Sequence, residues 1–497
     1  MYLLGLDAGT TNWKANLYDL KGRLVFSVSC PAAVKKDKAG NSYYDAGEMW
    51  KLFCGLIRQA VKKAGRPERI KAVSFASMAE AGCLVDEAGL PLTEIIPWFD
   101  KRTVPQVEVV LRKISKKELF VITGLNFNYI FSLCKILWFK KYRKTAFKRA
   151  AKWVCVPDYL IKRLSGVWAT DFSIASRTAL FDLRAKKWSK KMLGLAGLKE
   201  SFLPEVFPSG TVAGRVTKKA AGECGLSPET KVVLGGHDHL CGSLGAGLFS
   251  EGKVLDSIGT SETLAVPLKN ITNLKKHFKS GISFGCYPYG GLYYAMSGLY
   301  YSGGLSEWLL REYYAPGKKE RLYEKMLEDA KSSRPGSNGL YLFPHWLGMG
   351  APHRKRNARG MITGFSPETK RGDLVNAAYE GLSYEFRLLL ETVEQTLGFK
   401  AQEIIVIGGG AKNKLWLKRK ADILARNLTV PQIGEAVCFG AALLSGLGAG
   451  LIREPEKFAA KHKKELIKKD KKLTAFYNKE YQEHYRKLYL LNLPYWG

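Results

Sequence analysis

The length, composition and charge of this chain already exclude several classes of protein. Its 497 residues, 46% of them hydrophobic and 25% charged, are typical of a globular protein with two large domains, and no apolar run approaches the roughly 20 residues that a membrane-spanning helix needs. The net charge of +33 is spread over dispersed lysine pairs without a recognised nucleic-acid motif, so we expect a solvated basic surface and no specific nucleic-acid partner.

The chain begins with a predicted β-hairpin whose turn is suited to binding phosphate. Apolar residues 2–6 and alternating residues 14–19 predict its two strands. The residues suited to binding a ligand lie in and next to the turn that joins these strands. They are Asp7, Gly9, Thr10, Thr11, Asn12 and Lys14. The glycine lets the backbone approach a ligand, the threonine hydroxyls can hold phosphate oxygens, the aspartate can hold magnesium through water, and the lysine adds positive charge. The alternative is a polar turn that binds nothing.

The first half continues with a helix, two strands and a second helix. Apolar residues at helical spacing predict a helix within residues 41–64, and residues 105–119 predict a basic helix. Residues 70–76 and 83–86 predict two strands. The loop between these strands is a suitable place for a substrate contact, because binding residues are common on loops that a rigid sheet positions.

A buried strand predicted over residues 231–236 delivers the tripeptide His237, Asp238 and His239. The two histidines alternate and could meet a metal ion, but the spacing of the sequence shows no further histidine or cysteine ligands. The better interpretation is a general base, because a carboxylate at a strand end, followed by small residues, can approach a substrate hydroxyl closely.

The second half repeats the pattern of the first hairpin. Residues 254–264 read as an apolar strand, a turn and a second strand, and Gly259, Thr260 and Ser261 in this turn lie 250 residues beyond Gly9, Thr10 and Thr11. Two copies of a phosphate-type hairpin, one in each half, predict two related domains that face one nucleotide. We place the boundary between them near residue 248.

Three further segments complete the second half. Residues 294–310 predict a strand, a turn and a helix, and residues 371–397 predict a helix whose Glu380 and Glu385 are assigned to core packing plus solvent. The strand 403–407 enters a triple-glycine turn that precedes another helix, an arrangement that favours anions or polar ligand edges. The lysine-rich residues from 454 onward predict an amphipathic closing helix.

Together these motifs resemble those of the FGGY carbohydrate kinases, which are built on the actin-like ATPase fold, and the resemblance covers essentially the whole chain. It implies an α/β, two-domain actin-like (ribonuclease H-like) fold with mixed sheets and an interdomain cleft. Residues 1–247 are then a sugar-binding and catalytic-base domain, residues 248–450 a nucleotide-binding domain, and residues 451–497 a lysine-rich closing helical tail.

The resemblance implies a substrate site in the loop after residue 77. Met78 fits the methionine of xylulose kinases, and Glu80 fits the glutamate of glycerol kinases. Ala79 replaces the histidine of the former and the arginine of the latter, so the loop matches neither group fully. Trp98 belongs to a segment similar to W-x-D-x-R-T and is expected to line the sugar site. The remaining charged residues of this segment, Asp100 and Arg102, equally suit a structural ion pair.

The resemblance also assigns the base and the nucleotide site. Asp238 matches the catalytic aspartate of the family's G-x-D context and contacts the substrate hydroxyl. Gly303 shapes the nucleotide cleft, the adenosine lies on Gly409 and Gly410, and Asn413 lies at its edge. The residues implied to cradle the β- and γ-phosphates come from both hairpins, namely Thr10, Thr11, Gly259 and Thr260.

The sequence therefore predicts ATP-dependent phosphorylation of a hydroxyl group on a small sugar or polyol, with ATP and Mg²⁺ as cofactors. A ketopentose is favoured as the acceptor. One alternative is a glycerol- or erythritol-type polyol. Ile130 argues against glycerol, because glycerol kinases carry a tyrosine at this position. The other alternative is an ATP-dependent switch or sensor of the same superfold. The nine cysteines lack a C-x-x-C pair, so we expect free thiols and a cytoplasmic location without a membrane partner. Homodimer formation is left open.

Overall fold

A computed structural model describes residues 1–496 as two α/β halves, each built around one mixed sheet. The sheet of the first half contains β1 (Tyr2–Ala8), β2 (Asn12–Asp19), β3 (Leu24–Pro31), β4 (Ile70–Ser77), β5 (Val212–Arg215) and β6 (Lys231–His237). Its order is β5-β6-β4-β1-β2-β3. The pairs β1–β4 and β4–β6 are parallel, whereas β1–β2, β2–β3 and β5–β6 are antiparallel. The central strand β1 is almost entirely buried, as its continuous apolar run requires.

The second sheet has the same arrangement. It contains β7 (Lys253–Ile258), β8 (Glu262–Leu268), β9 (Ser283–Cys286), β10 (Tyr293–Leu299), β11 (Glu403–Ile407), β12 (Leu428–Pro431) and β13 (Lys464–Ile467). Its order is β9-β10-β8-β7-β11-β12-β13. The hairpin β7–β8 corresponds to β1–β2, and the parallel neighbours β11 and β12 correspond to β4 and β6. The sequence-based prediction of two related halves with mixed sheets is confirmed.

Helices cover the sheets and connect the two halves. The principal ones are α1 (Ala46–Ala64), α2 (Asp238–Gly245), α3 (Gly303–Tyr313), α4 (Arg371–Leu397), α5 (Lys414–Leu424) and α6 (Ala436–Gly448). The start of α1 is fixed by Asp45, whose carboxylate accepts a hydrogen bond from the Glu48 amide at 2.7 Å, and its end by Gly65 in a positive-φ conformation. Among the residues that the structure describes, every helix is too short or too polar to cross a lipid bilayer.

Shorter elements fill the connections. The additional helices are Pro105–Leu111, Lys116–Thr123, Ser132–Tyr142, Lys144–Arg149, Val156–Ser165, Phe172–Ala175, Lys190–Ala196, Lys218–Cys224, Leu274–His277, Lys319–Ser332, Pro455–Ala459, Lys471–Glu480 and Arg486–Asn492. The additional strands are Lys35–Lys36, Ser42–Tyr43, Gly82–Val85, Lys152–Cys155, Ala169–Asp171, Phe181–Asp182, Lys187–Trp188, Glu205–Phe207, Tyr341–Phe343 and Met361–Thr363.

The helices α2 and α6 join the halves by close backbone contact. A Cβ atom added to Gly440 of α6 would lie 1.8 Å from the carbonyl oxygen of Cys241, and one added to Gly245 of α2 would lie 2.0 Å from that of Ala436. On its other side α6 meets β1, where a Cβ atom on Gly5 would lie 2.0 Å from the carbonyl oxygen of Cys438. Only glycine fits at these three positions, so a helix of the second half lies directly on the first sheet.

Two predicted helices differ from the structure. The basic helix predicted over 105–119 is two helices, because Ser115 accepts a hydrogen bond from the Glu118 amide at 3.1 Å and begins the helix Lys116–Thr123. The closing tail is not purely helical either. Its strand β13 pairs with β12 and extends the second sheet before the last two helices begin.

The tail covers α4 with a row of tyrosines. Tyr477 donates a hydrogen bond to Glu380 at 2.5 Å, and Tyr485 donates one to Glu385 at 2.9 Å. Both glutamates are buried, so the assignment of their helix face partly to solvent was wrong. Burial raises the pKa of Glu385 to about 8. The prediction failed because the tyrosines that satisfy these carboxylates lie about a hundred residues further along the chain.

Candidate active site

The sequence-predicted residues of the first half meet at one edge of the first sheet. In the strand register Asp7 of β1 lies beside Ala76 of β4, and His237 of β6 lies beside Ser77. Because these three strands are parallel, their carboxyl ends share one edge. The edge therefore carries Asp7, the substrate loop that follows Ser77, and Asp238 at the start of α2.

A buried carboxylate, Asp7, and a half-buried one, Asp238, lie close together at this edge. Asp7 is 6% exposed, and its Oδ1 atom has no hydrogen-bond partner among residues 1–496. Burial, followed by repulsion from Asp238, raises the pKa of Asp7 to about 8, while Lys14 opposes the shift. Burial also raises the pKa of Asp238. The orphaned oxygen and the neighbouring negative charge are features that a hydrated Mg²⁺ bound to phosphate would satisfy.

Asp238 is held by the backbone of His239 and lies beside the side chain of His237. Its Oδ1 atom accepts a hydrogen bond from the backbone amide of His239 at 2.7 Å and lies 3.3 Å from Nε2 of His237. Burial lowers the pKa of His237 well below its ordinary value, so its imidazole is neutral at pH 7. Within residues 1–496 no three histidine, cysteine or acidic side chains gather to hold a metal ion by themselves. The tripeptide therefore fits a positioned carboxylate better than a histidine metal site.

Glu80, in the loop that follows Ser77, forms a charged pair with Arg177 near Asp238. Glu80 has a φ of +64° and is buried. Its Oε1 atom accepts a hydrogen bond from Nε of Arg177 at 2.6 Å. Met78 and Ala79 are also buried, so they anchor the loop in the protein interior. Sequence reasoning missed Arg177, because 97 residues separate it from its partner and no local pattern connects them.

Trp98 lies at the phosphate turn. Its indole Nε1 donates a hydrogen bond to Oγ1 of Thr10 at 2.9 Å, and the side chain is 37% exposed. The neighbouring Asp100 and Arg102 form a buried ion pair at 2.8 Å. The structure thus shows the structural ion pair that the sequence allowed for these two residues. Trp98 thus connects its own segment to the turn of the first hairpin.

Both hairpin turns present their tips to solvent. Thr11 and Asn12 are exposed in the first turn, as are Gly259 and Thr260 in the second. Lys14 is not free, because its ammonium group forms an ion pair with Glu435 at 2.6 Å. This glutamate immediately precedes α6, so the pair ties the first hairpin to the second half. Sequence reasoning gave no role to Glu435, which lies 421 residues from the lysine.

Three glycine-containing segments of the second half are in contact. The amide of Gly303 donates a hydrogen bond to the carbonyl oxygen of Gly259 at 3.0 Å. Gly408 has a φ of +93°, and a Cβ atom there would lie 2.4 Å from the carbonyl oxygen of Ile258. A Cβ atom on Gly409 would meet nothing within 4 Å, whereas one on Gly410 would lie 2.3 Å from Cγ2 of Ile258. Gly409 therefore faces open space, and Gly410 packs against the turn.

Asn413 closes this group of segments. Its Oδ1 atom accepts a hydrogen bond from the amide of Trp416 at 3.0 Å and caps α5. Its Nδ2 atom is buried without a hydrogen-bond partner in the described part of the chain. A buried amide donor without a partner is costly, which makes this atom a candidate contact for a ligand.

Comparison with known proteins gives the family of this two-domain arrangement. Residues 2–245 match the N-terminal domain of the FGGY family of carbohydrate kinases, and residues 255–449 match the C-terminal domain of that family. The chain belongs to the FGGY family of carbohydrate kinases. The family and the fold that the sequence motifs predicted are thus confirmed for this carbohydrate kinase.

Similar proteins include both pentulose and polyol kinases. A xylulose kinase of Staphylococcus xylosus is 29% identical over 448 residues, which are 90% of this chain and 91% of that protein. A glycerol kinase of Caldanaerobacter subterraneus subsp. tengcongensis is 30% identical over 469 residues, which cover 90% of each chain. In fold, the carbohydrate kinase matches the crystal structure of xylulose kinase from Rhodospirillum rubrum with a TM-score of 0.91, 24% identity and 100% coverage of both chains.

The raised pKa of Asp7 makes the stability of this carbohydrate kinase depend on pH. Without a bound cation, folded Asp7 keeps its proton up to about pH 8, whereas the unfolded chain loses it near pH 4. The folded state then binds more protons, so this contribution to the free energy of unfolding falls between these two pH values. Asp7→Asn removes it. Urea unfolding from pH 5 to 9 should show wild type losing stability relative to the variant, and parallel profiles would contradict the assignment.

Proposed function

We propose that this carbohydrate kinase transfers the γ-phosphoryl group of ATP to a hydroxyl group of a ketopentose such as xylulose. The observation that carries the proposal is the meeting of Asp7, Asp238 and the Glu80–Arg177 pair at one sheet edge. The edge offers a cation site, a proton acceptor and polar groups for sugar hydroxyls within one arrangement. The similarity to the Staphylococcus xylosus xylulose kinase supports the ketopentose.

In this mechanism the substrate oxygen attacks the γ-phosphorus, and the bond from that phosphorus to the β-phosphate oxygen breaks as ADP leaves. The hydroxyl proton passes to the carboxylate of Asp238, which the His239 amide holds in place. Thr10, Thr11, Asn12, Gly259 and Thr260 are proposed to hold the phosphates, and Lys14, which is paired with Glu435, is proposed to add positive charge to the site. Asp7 would hold Mg²⁺, which neutralises phosphate charge when bound.

The two halves are proposed to divide the substrates. Residues 1–247 would bind the sugar through Met78, Ala79, Glu80 and Trp98. Residues 248–450 would bind the adenosine at Gly303, Gly409, Gly410 and Asn413, and residues 451–497 complete this second domain. We place the enzyme in the cytoplasm, a proposal supported by the free thiols of all nine cysteines within the described residues.

A polyol is the second candidate acceptor. Glu80 is the observation that favours it, because its position matches the glutamate that the sequence resemblance places in this loop of glycerol kinases. The similarity to the Caldanaerobacter glycerol kinase supports the same reading. The two acceptors differ in the carbonyl group that only a ketopentose carries, so a substrate panel separates them directly.

The test is ADP release with Mg-ATP in a coupled assay across ketopentoses, ketohexoses and polyols. We expect one ketopentose to give a much higher kcat/KM than the others. Glu80→Gln should then lower kcat/KM for that sugar by about 10–100-fold, the loss of hydrogen bonds to a charged group, and leave the KM for ATP unchanged. Glu94→Gln is the matched control, because Glu94 pairs with Arg102 outside the proposed site.

Other outcomes would redirect the proposal. A polyol as the preferred acceptor would establish the second candidate. ATP turnover that no sugar stimulates, but that unfolded peptide increases, would contradict the kinase mechanism and favour an ATP-dependent switch of the same superfold.

A further inference from the structure

A buried cluster of charged side chains lies beneath the second glycine–threonine turn. The ammonium group of Lys420 in α5 donates hydrogen bonds to Oδ2 of Asp256, at 2.5 Å, and to Oε1 of Glu262. The hydroxyl group of Ser302 donates to the other oxygen of Glu262 at 2.5 Å. These four residues, the lysine cluster, are almost completely inaccessible to solvent.

The lysine cluster connects every segment that surrounds the turn. Asp256 lies in β7 and Glu262 begins β8, so the two carboxylates flank residues 259–261. Ser302 immediately precedes α3, and its amide also donates to the carbonyl oxygen of Thr260 at 2.8 Å. Lys420 belongs to the helix that follows the triple-glycine turn. One buried ammonium group therefore fixes the relative positions of the hairpin, the start of α3 and α5.

The charges of the cluster balance only if one carboxylate is protonated. Burial, followed by repulsion from Glu262, raises the pKa of Asp256 well above its ordinary value. With Asp256 protonated, the cluster contains one ammonium and one carboxylate. Removing such a pair from water costs several kcal/mol for each ion, and a well-packed neutral replacement is often at least as stable. Stability alone therefore does not explain why the pair lies at this place.

We propose that Lys420 is a positioning residue that holds the turn 259–261 in the conformation that binds the phosphates of the nucleotide. Lys420 does not touch the nucleotide, because it is fully buried and all its bonds go to the cluster. It acts through Glu262 and Ser302 on the backbone of Gly259 and Thr260. The inference rests on the proposed function, since it requires that the turn binds phosphate.

The test measures Mg-ADP binding to the full chain by titration calorimetry. Lys420→Met/Glu262→Gln removes one charge of each sign, and because buried Asp256 then loses its donor we expect a lower melting temperature, so the titration is run well below it. The Kd for Mg-ADP should rise on the order of tenfold, because the turn loses its fixed position. Ser302→Ala removes a single bond of the cluster and should raise the Kd by a smaller factor.

Tyr477→Phe is the matched control, because it removes a buried bond to Glu380 in the same half of the molecule. It should lower the melting temperature and leave the Kd for Mg-ADP unchanged. An unchanged Kd in the double variant would overturn the inference, as would an equal rise in the control. If the double variant does not fold, an unchanged Kd in Ser302→Ala overturns it. A wild-type protein that does not bind Mg-ADP would overturn the proposed function as well, so the two failures are distinct.

Discussion

Asp238→Asn is expected to lower kcat by about 10²–10⁴-fold, which is the range that general base catalysis supplies. Asparagine has nearly the same shape, and its side-chain oxygen can still accept the bond that the His239 amide donates at 2.7 Å. The amide cannot take up the hydroxyl proton. Steady-state ADP release with saturating sugar measures the loss, and calorimetry should show Mg-ADP binding close to that of wild type.

A buried carboxylate elsewhere in the same half, Asp158, provides the control. Asp158 caps the helix Val156–Ser165 through the Cys155 amide at 2.8 Å, and burial raises its pKa to about 8. This carboxyl group is mostly protonated at pH 7, so asparagine replaces it with little change in charge. Asp158→Asn should therefore keep kcat within about twofold, because Asp158 takes no part in the proposed proton transfer. Undiminished sugar-dependent ADP release in Asp238→Asn would show that another group accepts the proton.

Ending the chain after Lys469 is expected to prevent the second half from folding. The deletion removes the tyrosines that donate to Glu380, Glu391 and Glu385 at 2.5, 2.9 and 2.9 Å. It also removes Trp496, which packs against Phe343. Glu385 loses the one hydrogen-bond donor that the described residues give it, which costs about 1–3 kcal/mol, whereas Glu380 and Glu391 keep other donors. The lost apolar contacts of the buried aromatic side chains add to this, against a total stability of about 5–15 kcal/mol. Soluble yield and the near-ultraviolet circular dichroism spectrum measure the effect.

The tail also provides a control for its own charge. Lys471 and Lys472 are exposed and lie in the helix that carries the first tyrosine. Replacing both by glutamine should change the melting temperature by about 2 °C or less, as expected of surface substitutions. A truncated chain with wild-type yield and spectrum would show that α4 does not depend on the tyrosines.

The sequence predicted the elements that local patterns encode. The two hairpins were found because each combines an apolar strand with a glycine–hydroxyl turn, and α4 was predicted with the bounds 371–397 that the structure shows. The end of this helix could be predicted because a glycine, Gly398, follows its long apolar pattern. In the structure Gly398 adopts the positive φ that ends a helix. The division of the helix at 105–119 was readable as well, since Ser115 followed by Glu118 is a capping signal that the prediction overlooked.

The charged pairs of the candidate site could not be predicted in this way. Glu80 and Arg177 are 97 residues apart, Lys14 and Glu435 are 421 apart, and Lys420 is 164 residues from Asp256. A side-chain pair that forms only after the two sheets assemble leaves no periodicity in either segment. The individual site residues were therefore found by motif, whereas the partners that hold them required the structure.

The contact between α2 and α6 restricts how the two halves can move. Sliding one helix along the other by a single residue would put Phe439 or Ala441 where only the hydrogen of Gly440 fits. This contact therefore opposes a shear of one half across the other, and we expect any relative movement of the halves to be a rotation about it. Because α2 begins at Asp238 and α6 follows Glu435, such a rotation would move the proposed proton acceptor and the Lys14 ion pair together. In the proposed mechanism, closing of the cleft would then also align the reacting groups.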